Sequence, residues 1–119
     1  MAQHNDLGTK GEEIAQTFLK KNGYQILETN WQFHHAEIDI IAQKNNTLAV
    51  VEVKTRSSDL YGKPEAFVSK KKIKLMINAI DHYVQKNNLD VEIRFDIISI
   101  IKNKYTESID HIENAFVWF

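Results

Sequence analysis

The stretch AEIDIIAQKNNTLAVVEVKTR, residues 36–56, constrains the fold more than any other part of the chain. Two apolar runs flank the polar tetrapeptide Lys44-Asn45-Asn46-Thr47. Strand-forming residues on either side of such a segment predict a β-hairpin. Asparagine tolerates the positive φ that a two-residue turn demands. With Asn45-Asn46 at its centre, counting outwards pairs Lys44 with Thr47, then Asp39 with Glu52, then Glu37 with Lys54; a bulge or longer loop would shift this register. The run Ala49-Val50-Val51-Glu52-Val53 is apolar on both faces around its acid. That is the pattern of an interior strand covered on both sides, where an unpaired carboxylate is costly.

The flanking sequence supplies the cover. Residues 7–21 read as a helix with Ile14, Ala15, Phe18 and Leu19 on one face, stopped by Asn22-Gly23. Tyr24–Thr29 reads as a short strand. Ser69–Lys86 is the clearest helix, with Ile73, Met76, Ile77, Ile80, Tyr83 and Val84 at helical spacing. Val91–Ile101 alternates as a long strand, and a last strand falls near Ser108–Ile112. The order α-β-β-β-α-β-β predicts an α/β fold, a central mixed β-sheet flanked by helices. At 119 residues the chain suits one domain over 1–119. The absence of cysteine removes disulfides and cysteine zinc sites. No apolar run has the length of a membrane span, and MAQHNDLGTKGEE lacks a signal peptide's apolar region, so the expectation is a cytoplasmic protein without a membrane partner. The net charge of −1 means that a polyanion would have to be held by a local patch.

Four charges interrupt the hairpin. By alternation, Glu37 and Asp39 share a face opposite Ile38 and Ile40, while Glu52 and Lys54 share a face opposite Val51 and Val53. In the register above, Asp39 and Glu52 are direct cross-strand neighbours, with Cβ atoms about 5 Å apart. Like charges so placed repel, and burial worsens the repulsion. A hard divalent cation, Mg2+ or Mn2+, removes the conflict by taking carboxylate oxygens as ligands. A neighbouring lysine would then contact a phosphate oxygen or orient an attacking water. Charges on a solvent face, with Glu37–Lys54 as an ordinary ion pair, are the alternative.

An acid on one strand followed by Glu-x-Lys on the next (Asp39, then Glu52-Val53-Lys54) resembles the active-site motif of the PD-(D/E)xK nuclease superfamily. The segments GEEIA (11–15), NGYQILETN (22–30), EIDII (37–41), VVEVKTR (50–56), RFDII (94–98) and NAF (114–116) follow in order. Together they resemble the YraN-type family of small bacterial endonuclease-like proteins, over nearly the entire chain. The resemblance implies a restriction-endonuclease-like fold, similar to archaeal Holliday-junction resolvases. It further implies that Asp39 and Glu52 hold metal, that Lys54 is the catalytic lysine, and that Glu12 is the helix-borne acid completing the site. Two departures stand out: Ala36 occupies a position where glycine is expected, and Trp31 and His34-His35 lie where a basic residue is expected.

Beyond the acid pair, Glu12 lies at the edge of the helix face carrying Gly11, Ala15 and Phe18. It would either reach the sheet's acidic site or simply favour the first turns of its helix. Lys70, Lys71, Lys72 and Lys74 open the second long helix, against the macrodipole but beside N–H groups that suit a phosphate. They form either a nucleic-acid contact or a solubilising face. Arg56 and Lys63, with Tyr61, lie in or near the loop Ser57–Phe67, placed to contact a substrate backbone or to cover the sheet end. Arg94 and Asp96 read as an internal ion pair. The five histidines show no zinc spacing, and no phosphate-binding glycine loop or nucleophile elbow is present. The expectation is a metal-dependent endonuclease acting on DNA more than RNA, including branched or processed DNA; a homodimer would suit two-strand cleavage. The alternative is a non-catalytic nucleic-acid-binding or assembly module on the same fold.

Overall fold

The computed structural model describes residues 6–58 and 68–116; Tyr61 and Lys63 lie outside them. In chain order the elements are α1 (Asp6–Lys21), β1 (Gln25–Phe33), β2 (Ala36–Lys44), β3 (Thr47–Arg56), α2 (Lys70–Lys86), β4 (Glu92–Lys102) and β5 (Glu107–Ile112). The strands form one sheet in sequence order, β1-β2-β3-β4-β5. All neighbours are antiparallel except β3 and β4, which run parallel because α2 carries the chain back between them. This mixed sheet flanked by two helices, in the order α-β-β-β-α-β-β, is the restriction-endonuclease-like architecture expected from the sequence.

The hairpin turn sits where the asparagines predict. Asn45 takes φ 54°, and Lys44 pairs with Thr47, Ala42 with Ala49 and Ile40 with Val51. Strand β3 is central and apolar on both sides. Leu48 and Val50 pack with Ile41, Phe95 and Ile97 against Ile73, Met76, Ala79, Ile80 and Tyr83 of α2. Ala49 and Val51 pack with Ile40, Ala42, Ile98 and Ile100 against Ala15 and Leu19 of α1. The strand expected over Tyr24–Thr29 extends to Phe33, passing through Asn30 at φ 49° with a bulge between Ile26 and Glu28. A bulge and a left-handed residue break the alternation by which the sequence signals a strand.

One expectation of alternation is corrected. Ile38 and Ile40 do not share a face: Ile38 belongs to the α2-side core and Ile40 to the α1-side core. The cause is a break at Asp39. The β1 ladder runs Thr29–Ile40 and then Trp31–Ile38, skipping Asn30 and Asp39. The β3 ladder with β2 ends at Ile40–Val51. Asp39 is therefore outside both ladders, and the strand turns over at that residue.

Helix α1 sits close to the sheet because its packing face is small. A Cβ on Gly11 would fall 1.8 Å from Thr55 Oγ1 and 2.9 Å from Thr55 Cβ. Gly11→Ala should therefore force α1 away from β3 and lower stability in urea unfolding by ~1–3 kcal/mol. Gly11→Ala/Thr55→Ala should recover part of that loss, since it removes the nearest atom. Equal stability of Gly11→Ala and wild type would show that the contact can relax.

Candidate functional site

At the point where β2 and β3 part, two carboxylates come together. Asp39 Oδ2 accepts a hydrogen bond from Val53 N–H at 2.8 Å. The side chain thus supplies to β3 the acceptor that a continued β2 ladder would have provided. Glu52, one residue earlier on β3, is paired through Oε2 with the Lys72 ammonium at 2.5 Å. Its other oxygen, Oε1, is buried without a hydrogen-bond partner among the described residues. Burial first, and then the charge of Glu52, push the Asp39 carboxyl up from 3.8 to about 7. The Val53 hydrogen bond and the charge of Lys72 oppose that rise, while the charge of Glu12 adds to it.

The remaining expected site residues are distributed as follows. Glu12 is half-buried on α1 and acts on Asp39 through its charge. No group of three His, Asp or Glu side chains is placed to hold a metal ion among the described residues. Glu12 thus stands near the pair without completing a ligand triad. Lys54 is half-buried on β3, two residues beyond Glu52 and on the same side of the strand. Lys70, Lys71 and Lys74 are exposed, and the first turn of α2 holds no acid. The helix start is fixed by Ser69, whose hydroxyl accepts from Lys72 N–H at 3.1 Å. Arg56, the last residue of β3, is only 9% exposed.

Two features escaped the sequence reading. The first is Lys72, grouped by sequence with the other lysines but turned onto Glu52; nothing in four closely spaced lysines distinguishes it. The second is the extent of the network around Asp96, whose side chain is fully buried. Arg94 donates to it through Nε and Nη2, as the internal pair suggested. His111 Nε2 also lies 2.8 Å from Asp96 Oδ2, Asn114 N–H donates to Oδ1, and Arg94 reaches the Tyr24 hydroxyl. Burial alone would raise the Asp96 pKa, but the bonds from His111 and Arg94 outweigh it and hold the carboxyl below the usual range. Trp31 and His34, in positions expected to be basic, belong to an aromatic group instead. Trp31 meets Phe33 and Tyr83, and Phe33 meets His34 and stacks on His82.

The acid pair fits a hard divalent cation. It offers oxygen donors, excess negative charge, and in Glu52 Oε1 a buried acceptor that lacks a partner among the described residues. Asp39 and Glu52 would hold it. Without metal, ionising Asp39 opposes folding. Its folded pKa lies above its unfolded value, so stability falls as pH rises from about 4 to about 7. Asp39→Asn keeps an oxygen for Val53 N–H and carries no charge. In metal-free buffer at pH 8 it should be more stable than wild type by ~2–4 kcal/mol, and the gain should vanish below pH 4. Chemical unfolding across pH measures this; a loss of stability at pH 8 would mean that the ionised carboxylate is structurally required.

Known proteins resemble this chain along its whole length. Residues 11–100 match the model of "Uncharacterised protein family UPF0102". A UPF0102 protein of Flavobacterium psychrophilum is 56% identical over 119 residues, covering 100% of both chains. One from Christiangramia forsetii is 52% identical, again over 100% of both. One from Parabacteroides distasonis is 51% identical over 98% of this chain and 96% of its own. No described helix is long and apolar enough to cross a membrane. With the matched region spanning α1 to β4, the chain belongs to the UPF0102 family, the YraN-type family that its motifs resemble.

Proposed function

We propose that the protein is a Mg2+- or Mn2+-dependent endonuclease that hydrolyses DNA phosphodiester bonds. The observation that carries this reading is the Asp39–Glu52 pair at the break in the sheet, with a buried carboxylate oxygen left without a partner among the described residues. Sheet ends where strands diverge leave room for a substrate, and unsatisfied acceptors there favour a ligand over a purely structural role.

The geometry supports the following division of labour. Val53 N–H fixes the orientation of Asp39, so that its second oxygen is presented at a defined place. Glu52 offers Oε1 from the adjacent strand. A divalent cation bound by both would polarise a phosphoryl oxygen and offset the negative charge that develops at phosphorus. Lys54, on the same side of β3 as Glu52, would hydrogen-bond the attacking water or a non-bridging phosphate oxygen and stabilise the transition state. Lys70, Lys71 and Lys74 would position the DNA backbone through charge without taking part in hydrolysis. Glu12 would tune the site through its charge on Asp39.

The test is cleavage of single-stranded, duplex, flapped and four-way DNA with Mn2+. Wild type should cut at least one of these, and Asp39→Asn and Lys54→Ala should each lower the rate by about 10²–10³-fold. Replacing Lys70, Lys71 and Lys74 with glutamine should instead weaken DNA binding and flatten its salt dependence, by about 0.9 in slope for each phosphate no longer neutralised. DNA binding by wild type with no cleavage of any substrate would identify a non-catalytic nucleic-acid-binding module. Unchanged affinity and slope in the triple variant would make the helix start a solubilising face.

A further inference from the structure

We infer that Lys72 is a built-in counter-ion for the acid pair, which a divalent cation must displace from Glu52. Once displaced, Lys72 becomes a positioning residue for a phosphate at the site. The inference rests on the metal-binding reading above and adds to it a coupling between metal and DNA.

At the start of α2, the Lys72 ammonium contacts Glu52, an acid of the site. Its backbone is held by the Ser69 cap, and it precedes Ile73 on the helix edge that turns into the core. The Glu52 side chain is 13% exposed and the Lys72 side chain 40% exposed. The pair therefore lies at a boundary, carboxylate inside and lysine stem reaching in from solvent. Enclosing a carboxylate beside the Asp39 carboxyl is costly without positive charge nearby. Lys72 provides it through Oε2, while Oε1 stays without a hydrogen bond among the described residues.

A cation held by Asp39 and Glu52 would stand within a few ångströms of that ammonium and repel it. The lysine stem is flexible and open to solvent on its outer side, so its head can leave without disturbing α2. The released charge would lie at the helix start, among the N–H groups and lysines that suit a phosphate. Linkage then works in both directions: metal frees Lys72 for phosphate, and phosphate that engages Lys72 exposes Glu52 to metal. Each ligand should raise affinity for the other, and the metal-free site would resist stray cations.

The test is Mn2+ calorimetry on the full chain, comparing wild type, Lys72→Gln and Lys74→Gln. The last removes the same charge from the same helix at an exposed position. A double-mutant cycle of Lys72→Gln with Glu52→Gln, read by metal-free unfolding, reports the ion pair without metal. Lys72→Gln should bind Mn2+ roughly three- to tenfold more tightly than wild type, and Lys74→Gln within twofold of it. A non-cleaved duplex should tighten Mn2+ binding in wild type more than in Lys72→Gln. Equal Mn2+ affinity in all three proteins would overturn the role of Lys72 and leave the metal site standing. Weaker binding in Lys72→Gln would also overturn it. No Mn2+ binding by any of them, with coupling between Lys72 and Glu52 intact, would sink the metal reading and this inference together, leaving a structural ion pair.

Discussion

Much of the site depends on a hydrogen bond that a side chain makes in place of the backbone. Beyond Ile40–Val51 the β2–β3 ladder stops, and Asp39 Oδ2 takes Val53 N–H instead. That substitution lets the strands part without leaving a buried donor unpaired. It also turns the chain over, so that Ile38 faces α2 while Ile40 faces α1. A carboxylate is thereby fixed in the opening, within electrostatic reach of Glu52, Lys72 and Glu12. A continuous ladder would have given a more regular sheet, with Val53 N–H bonded to backbone instead of to Asp39.

The buried Asp96 and the half-buried Asp39 are treated in opposite ways. Asp96 is met by Arg94, His111 and Asn114 N–H, and its carboxyl stays charged despite full burial. That network ties β4 to β5, to Tyr24 ahead of β1 and to the segment after β5, and it leaves nothing for a ligand to satisfy. Asp39 has one backbone donor and two acidic neighbours, and its pKa is driven up to about 7. Complete satisfaction is what a structural acid needs. Incomplete satisfaction at a strand break, beside a Glu52 oxygen unpartnered among the described residues, is a standing cost to folding that binding a cation would relieve.

How far these features were legible in the sequence follows from what local pattern can encode. The hairpin and its register could be read from Asn45-Asn46 and two strand-like runs, because a two-residue turn leaves no freedom in pairing near it. Helix α2 was equally plain, since Ile73, Met76, Ile80 and Tyr83 recur at 3.6-residue spacing on one buried face. The length of β1 was not, because Asn30 and the bulge before Glu28 interrupt alternation. The acids could be placed in one neighbourhood, but the flip at Asp39 depends on a side-chain hydrogen bond across strands. Lys72 could not be separated from Lys70, Lys71 and Lys74, since which of the four meets Glu52 is set by where α2 lands on the sheet. The Arg94–Asp96 pair was visible as residues two apart on one strand, whereas His111 entered only through the β4–β5 register.

On the proposed reading, a cation would sit between β2 and β3 at the break marked by Asp39. Anomalous diffraction from crystals soaked in Mn2+, recorded at the manganese edge, tests it most directly. A peak is expected within ligand distance of about 2.0–2.6 Å from both Asp39 and Glu52, with the Lys72 ammonium withdrawn from Glu52. No peak between the two carboxylates at saturating Mn2+, with Lys72 still seated on Glu52, would contradict it.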